Sequence, residues 1–131
     1  PTNFVLDVSN KMKKIILDER VSENFVWMND DIYLLSKISQ AEIKRPKALE
    51  DMDDVLSSGR QNKRGRYRVR MWDTYDELKR HNLPVINCCT HLPFCYNKSR
   101  LINIFNRYDF SKDNFLISLL YHNYNFKKTR Q

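Results

Sequence analysis

The most informative stretch of the chain is RQNKRGRYRVRMW, residues 60–72. It contains six basic residues and no acidic one: Arg60, Lys63, Arg64, Arg66, Arg68 and Arg70. The last three arginines alternate with Tyr67, Val69 and Met71, and a period of two is typical of a half-buried strand. We therefore predict a strand over residues 66–72, with its arginines facing solvent and Tyr67, Val69 and Met71 facing the core.

Charge is divided unevenly along the chain. Residues 1–59 contain 8 Lys/Arg and 11 Asp/Glu, whereas residues 60–131 contain 15 Lys/Arg and 5 Asp/Glu. The net charge is +7. An excess of positive charge confined to one half of a chain favours a surface that binds an anionic partner.

Length and composition predict the general class of the protein. A chain of 131 residues, 41% of them hydrophobic, is long enough for one domain with its own core, so we expect a single globular domain over 1–131 with a flexible tail at 126–131. No apolar run approaches the ~18 residues of a membrane span, and no signal pattern is present. The three cysteines are odd in number, which indicates reduced thiols. We expect an intracellular protein, cytoplasmic or nuclear, that is neither secreted nor membrane-bound.

Helical periodicity and capping patterns predict five or six helices around a small sheet. The candidate helices span 4–20, 32–43, 46–58, 74–82, 99–108 and 111–121, the fourth starting from a capping box at Thr74 and the last capped by Ser111. Residues 25–28 fit a short strand or a helix entry, and residues 85–89 fit a buried strand. The predicted fold is α+β and helix-dominated, with a small sheet that carries the basic strand.

The basic stretch predicts non-catalytic binding of RNA or DNA, mainly through phosphates. Arginine binds phosphate bidentately and stacks on bases. The predicted contacts lie in the strand, the loop before it and the C-terminal tail: Arg60, Lys63, Arg64, Arg66, Arg68, Arg70, Lys127, Lys128 and Arg130. Two other interpretations of these cations stay open. They are a charged edge strand that prevents sheet aggregation and a nuclear import signal at residues 63–66.

A second hypothesis is a nuclease that requires Mg²⁺. If residues 38–44 form a strand, Glu42 and Lys44 share one face, and Asp30 or Asp31 would complete a metal site. An acid followed eleven or twelve residues later by Glu42-Ile43-Lys44 resembles the D…ExK pattern of the PD-(D/E)xK nuclease superfamily. The resemblance covers about fifteen residues and implies metal-dependent phosphodiester cleavage. The alternative is a surface Glu–Lys pair on a helix.

Cysteine and histidine spacing raises the possibility of a zinc site. Cys88, His91 and Cys95 are spaced as ligands, and Cys89, His81 or His122 would supply the fourth. The paired CxxC motifs typical of such sites are absent. The alternative is that the cysteines are small buried hydrophobic residues.

The acids near the middle of the chain suggest a third function. The acids of the helix predicted over 46–58 are Glu50, Asp51, Asp53 and Asp54. The apolar residues expected to seat that helix on the core are Leu49, Met52, Val55 and Leu56. The acids would then face outward beside a strongly basic half. This arrangement favours a protein–protein adaptor that docks a charged partner protein or associates with itself, in an oligomeric state that the sequence leaves open.

Overall fold

Helices dominate the fold, with short antiparallel strands between them. The structure is a computed structural model, and it describes residues 4–28, 33, 35–45, 48–88 and 93–126. Its helices are α1 (Phe4–Leu17), α2 (Gln40–Lys44), α3 (Met52–Ser57), α4 (Arg66–Arg80), α5 (Lys98–Arg107) and α6 (Ile117–Asn125). Its strands are β1 (Asn24–Trp27), β2 (Glu50–Asp51), β3 (Ile86–Asn87) and β4 (Phe94–Asn97). The helix-dominated α+β class predicted from the sequence is confirmed.

The strands form two separate antiparallel pairs, β1 with β4 and β2 with β3. In the first pair Phe25 lies opposite Tyr96, and their rings stack with centroids 5.9 Å apart. In the second pair, β2 is followed directly by α3, which begins at Met52. The amide of Met52 donates to the carbonyl of Val85 at 2.8 Å and so ties the start of α3 to the residue before β3. Of the two alternatives left open for residues 25–28, the structure has the strand. The buried strand expected over 85–89 is present only as β3, which is half-buried, and residue 89 lies outside the described part of the chain.

The core is built around α6, which packs against α4 and α5. Leu119 and Leu120 of α6 are fully buried, as are Leu78 of α4 and Leu101 of α5. Consecutive buried residues place more than one face of α6 against protein. The buried residues of α6 are Ile117, Leu119, Leu120, Tyr121 and Asn123.

A buried amide ties α6 to the β2–β3 pair. Asn123 is 1% exposed, and its Oδ1 accepts a hydrogen bond from the amide of Ile86 at 2.9 Å. Its Nδ2 donates to the carbonyls of Ile86 and Leu119, each at 2.9 Å. All three bonds satisfy groups that would otherwise lose hydrogen bonds to water on burial. The asparagine therefore fixes β3, and through it β2 and α3, on the core.

The predicted basic strand is wrong, because residues 66–72 form the first half of α4. The buried side chains of this helix include Trp72, Tyr75 and Leu78, which recur every three residues along one face. Arginine and methionine are good helix formers, so the alternation does not by itself impose a strand. Tyr67 and Val69, expected in the core, are instead 46% and 42% exposed.

The boundaries of α4 also differ from the prediction. Gly65 is the N-cap at φ 84°, a left-handed conformation that glycine adopts at little cost. Thr74 does not start a helix. Its hydroxyl donates to the carbonyl of Arg70 at 2.6 Å and accepts from the amide of Leu116 at 2.9 Å, within an uninterrupted helix.

Three further helix predictions are corrected. Of the helix expected over 32–43, the described residues that are helical are 40–43, within α2, because Ser39 and Glu42 form a capping box that starts a helix at Gln40. Residues 32 and 34 lie outside the described part of the chain. The helix expected over 46–58 is replaced by β2 and α3, with residues 46 and 47 outside the described part of the chain. Ser111 does not cap α6, because its amide and hydroxyl both bond Asp109 in a turn. The helices predicted over 4–20 and 99–108 are confirmed as α1 and α5.

Candidate nucleic-acid interface

The loop between α3 and α4 and the first turn of α4 form an exposed run, residues 56–69. The loop leaves α3 through Gly59 at φ 70°, where the amide of Arg60 bonds the carbonyl of Val55 at 3.1 Å. The indole Nε1 of Trp72, a residue only 3% exposed, donates to the carbonyl of Asn62 at 3.1 Å. The loop is therefore fixed at its start and at its middle.

A local turn orders the residues that precede α4. The side-chain Oδ1 of Asn62 accepts a hydrogen bond from the amide of Arg64 at 2.9 Å. Asparagine bonded in this way to the backbone two residues on forms an Asx turn. Together with the Trp72 bond, the turn holds the cations at positions 63, 64 and 66 on an ordered backbone. Neither Asn62 nor Gly65 was singled out from the sequence, although Asn and Gly are ordinary turn signals.

Arg60 differs from the other cations of this run, because it is already paired. Its Nη1 lies 3.0 Å from Oε2 of Glu50 in β2, and its Nε donates to the hydroxyl of Ser58 at 2.8 Å. The other five have no carboxylate partner among the described residues. These five cations, called the basic segment below, are Lys63, Arg64, Arg66, Arg68 and Arg70.

The helical geometry spreads the arginines around the axis instead of aligning them. Arg66 and Arg70 are four residues apart and share a face, whereas Arg68 lies on the opposite side. Arg66 and Arg68 are exposed and Arg70 is half-buried. Because Tyr67 is also exposed, the first turn of α4 projects from the core as a basic end rather than a flat basic face.

The N-terminus of α4 adds a positive field of its own. No side chain caps it, and its first turn contains no acid. The first amides of a helix have no partner within the helix, and the helix dipole favours negative charge there. The first acid of α4 is Asp73, a full turn beyond Val69. Positive charge from the cations and from the helix dipole is therefore concentrated at this end of α4.

Most of the acids that precede the basic segment already have hydrogen-bond or ion-pair partners within the protein. Asp51 caps α3 by accepting from the amide of Asp53 at 2.8 Å. Asp53 accepts from the hydroxyl of Tyr75 at 2.6 Å, which holds the pKa of its carboxyl below the usual range, and from Lys79 at 3.2 Å. The same hydrogen bond raises the pKa of Tyr75 to about 12. Asp54 is exposed.

The prediction that four apolar residues of the helix expected over 46–58 pack on the core is half correct. Met52 and Val55 are buried, but Leu49 and Leu56 are 61% and 41% exposed. The reason is that α3 begins only at Met52 and is too short for the apolar spacing expected over 46–58 to act as one stripe.

The residues of the nuclease hypothesis are only partly within the described chain. Glu42 and Lys44 lie on the helix α2, so the strand that the hypothesis requires over 38–44 is wrong. Glu42 uses its Oε2 to accept from the amide of Ser39 at 3.0 Å, which is a capping role. Asp30 and Asp31 lie outside the described residues, and so their approach to Glu42 stays a prediction.

The candidate ligands of the zinc hypothesis are also only partly within the described residues. Cys88 is buried and Cys95 half-buried, while Cys89 and His91 lie outside the described residues. His81 bonds Oε2 of Glu77 at 3.1 Å. Among the described residues no group of three or more potential ligands comes together. The tail cations Lys127, Lys128 and Arg130 also lie outside the described part.

A polar cluster that the sequence did not indicate links α4, α5 and α6. The hydroxyl of Tyr108 donates to Oε2 of Glu77 at 2.8 Å and lies 2.6 Å from the hydroxyl of Tyr124. Burial raises the pKa of Tyr108, and both hydrogen bonds act in the same direction. Glu77 is also paired with Arg80 and His81. Because its groups satisfy one another between packed helices, the cluster holds the core together.

Comparisons with protein-family models, with curated proteins and with solved structures found no match to this chain. Within the described ranges, no helix has the length and apolar character needed to cross a lipid bilayer.

Proposed function

We propose that this protein binds RNA or DNA without catalysis, through phosphate contacts made by the basic segment. The observation that carries the proposal is the arrangement of five cations, none paired with a described carboxylate, around the uncapped N-terminus of α4. Like charges at this density repel one another, and an anionic ligand lying alongside relieves that repulsion.

The chemistry of the basic segment suits a phosphate backbone. The guanidinium of arginine offers a planar fork that binds phosphate bidentately, and lysine adds a mobile point charge. Helix N-termini supply backbone amides to phosphates in the same way. Since Arg66 and Arg68 point to different sides of a projecting helix end, they would reach different phosphates of one strand or of two.

Stacking of bases on aromatic side chains contributes little to this proposal. Trp72 is buried, with its indole N–H bonded to Asn62, so it does not present a face to bases. Tyr67 is the exposed aromatic ring among the arginines. Contacts to phosphates are mainly independent of base sequence. The proposal is therefore a protein that binds the nucleic-acid backbone rather than one that recognises particular bases.

The test compares two triple variants that lose the same charge. In the first, Arg66, Arg68 and Arg70 are replaced by Gln, which keeps helix propensity nearly constant. In the second, the three lysines of α1 are replaced by Gln: Lys11, Lys13 and Lys14. Binding of labelled single- and double-stranded RNA and DNA is followed by fluorescence anisotropy, and circular dichroism verifies the fold.

The first variant should lose roughly 100-fold in affinity, about 1 kcal/mol for each contact. The α1 variant should keep most of its affinity. Unchanged binding by the arginine variant, or equal losses in both variants, would overturn the proposal. Unchanged binding would show that the three arginines do not contact phosphates. Equal losses in both variants would show that affinity depends only on the net charge of the protein.

A further inference from the structure

The basic segment has cations on two opposite sides of α4. Arg66 and Arg70 are four residues apart and lie on one side of the helix, whereas Arg68 lies on the other. None of the three has a carboxylate partner among the described residues. A helix with its side chains is about 10–12 Å across, so positive charge is presented on two sides that far apart. A ligand that neutralises all of it needs negative charge on both sides of the helix.

The loop before α4 adds its cations to the Arg68 side. Trp72 lies one turn beyond Arg68 on that side, and its buried indole donates to the carbonyl of Asn62 at 3.1 Å. This bond holds the loop beside α4, and Lys63 and Arg64 follow directly along the chain. Positive charge is therefore divided between the two sides, and neither side accounts for it alone.

Acidic residues of α4 limit the direction from which a polyanion can approach. Asp73 lies about two turns beyond Arg66 on the same side of the helix, and Asp76 follows three residues later. Asp76 is exposed and Asp73 is half-buried. A polyanion lying along the helix would meet both carboxylates, whereas one that meets the helix end-on would not. The helix is free of acids for about 10 Å from Arg66 to Asp73, which is the length available to an end-on ligand.

These dimensions match one groove of duplex DNA. The major groove of B-form DNA is about 12 Å wide and about 8.5 Å deep, and it admits an α-helix between the two phosphate backbones. The minor groove, about 6 Å wide, is too narrow for a helix. In duplex RNA the major groove is too narrow for side chains to read and the minor groove is shallow, so neither takes a projecting helix end. A single strand has one line of phosphates and reaches the cations of one side.

We infer that the basic segment binds the major groove of B-form duplex DNA, with the first turns of α4 in the groove. Arg66 and Arg70 contact phosphates of one strand, and Arg68 and the preceding loop contact phosphates of the other. The inference rests on the proposed function and names duplex DNA as the class of nucleic acid.

The test measures the affinity of the full chain for four probes by fluorescence anisotropy at one salt concentration. Three have the same sequence and length: a DNA duplex, the corresponding RNA duplex and one DNA strand. The two duplexes contain one phosphate for each linkage of either strand, so the comparison between them depends on groove shape more than on charge. The fourth is the DNA duplex with bulky substituents at C5 of its thymine positions, which project into the major groove.

The DNA duplex should bind about tenfold more tightly than the RNA duplex and the single strand. The bulky substituents should remove this advantage, because they fill the space that the helix end occupies. Equal affinity for the DNA and RNA duplexes, or binding that is insensitive to the substituents, would overturn the inference.

Contact with two strands is tested by Arg66→Gln, Arg68→Gln and the double variant. On the DNA duplex each single replacement should weaken binding about fivefold, and the two losses should multiply in the double variant. On the single strand the double variant should lose no more than the weaker of the two single variants, because one strand engages one side. Lys14→Gln removes one exposed cation from α1 and should leave both affinities unchanged. The same loss on duplex and single strand in the double variant would contradict the assignment of the two arginines to different strands.

The outcomes separate this inference from the function on which it rests. If none of the probes binds, the proposed function fails and the inference fails with it. If all four bind equally and the triple arginine variant loses binding to each, phosphate contact by the basic segment stands and only the assignment to duplex DNA is refuted.

Discussion

The nucleic-acid affinity of this protein should fall steeply with salt, with a slope that reports five cations rather than six. Each phosphate neutralised by a lysine or arginine releases condensed counterions, and the release becomes less favourable as salt is added. Arg60 is excluded from the count because Glu50 already neutralises it at 3.0 Å. The salt dependence therefore tests the geometry of the site and not only its net charge.

The magnitude follows from the number of unpaired cations. If all five contact duplex phosphates, the logarithm of the binding constant falls with the logarithm of salt at a slope of about −4.5, and at about −3.5 for a single strand. Between 50 and 200 mM salt the duplex affinity then drops by about 500-fold. Arg68→Gln should reduce the slope by about 0.9, and Arg60→Gln should leave it unchanged.

The assay is fluorescence anisotropy with one labelled oligonucleotide at five or more salt concentrations, repeated for the parent protein and the two single variants. The two substituted positions lie eight residues apart, and each variant loses one positive charge, so the two are matched for net charge. Equal slopes for all three proteins would refute the assignment of phosphate contact to Arg68. A reduced slope for Arg60→Gln would show that the Glu50 pair opens on binding.

Two further predictions concern the scaffold beside the basic segment. Trp72→Phe removes the hydrogen bond to the carbonyl of Asn62 and some buried volume, so urea denaturation should show a loss of about 2 kcal/mol. Equal stability would mean that this bond does not anchor the loop. Tyr75→Phe removes the donor that holds the pKa of Asp53 low. A depressed carboxyl pKa stabilises the fold above the unfolded value near 3.9, and this contribution is lost as the pH falls through the folded value. The stability deficit of Tyr75→Phe should therefore be present at pH 7 and shrink on acidification, and a deficit independent of pH would contradict the assignment.

The strand error in the basic stretch has a clear physical origin. Over residues 66–71 the arginines fit both a period of two and a helix whose first turn is exposed on all sides. The deciding residues lie further along, where Trp72, Tyr75 and Leu78 recur at helical spacing and are buried. The sequence up to Trp72 does not distinguish a strand from a helix. The first turn of α4 makes few core contacts, so its residues need not follow the apolar spacing of a helix.

Elements with their own caps and a continuous apolar face were easier to predict. In α5, Leu101 and Ile104 are buried, and Arg107 lies in the last turn, where a cation is favoured. In α2 the capping box at Ser39 is an equally local signal, but the longer apolar pattern over 32–43 predicts an earlier helix start. Pairs that depend on tertiary structure gave no local signal, and Arg60 with Glu50 is an example, because the β2–β3 pair places Glu50.

The same pairing bears on which charges of the surface are already engaged within the protein. The acids of residues 50–53 are largely engaged, with Glu50 paired to Arg60, Asp51 capping α3 and Asp53 bonded to Tyr75. An adaptor that presents these acids to a partner would first have to break those bonds, at a cost in stability. The basic segment has no described carboxylate to release before it binds. Asp54 is exposed, so one acid of this region stays accessible to a partner. The basic segment contains five cations without a described carboxylate partner, and on the function proposed above the partner that it favours is anionic.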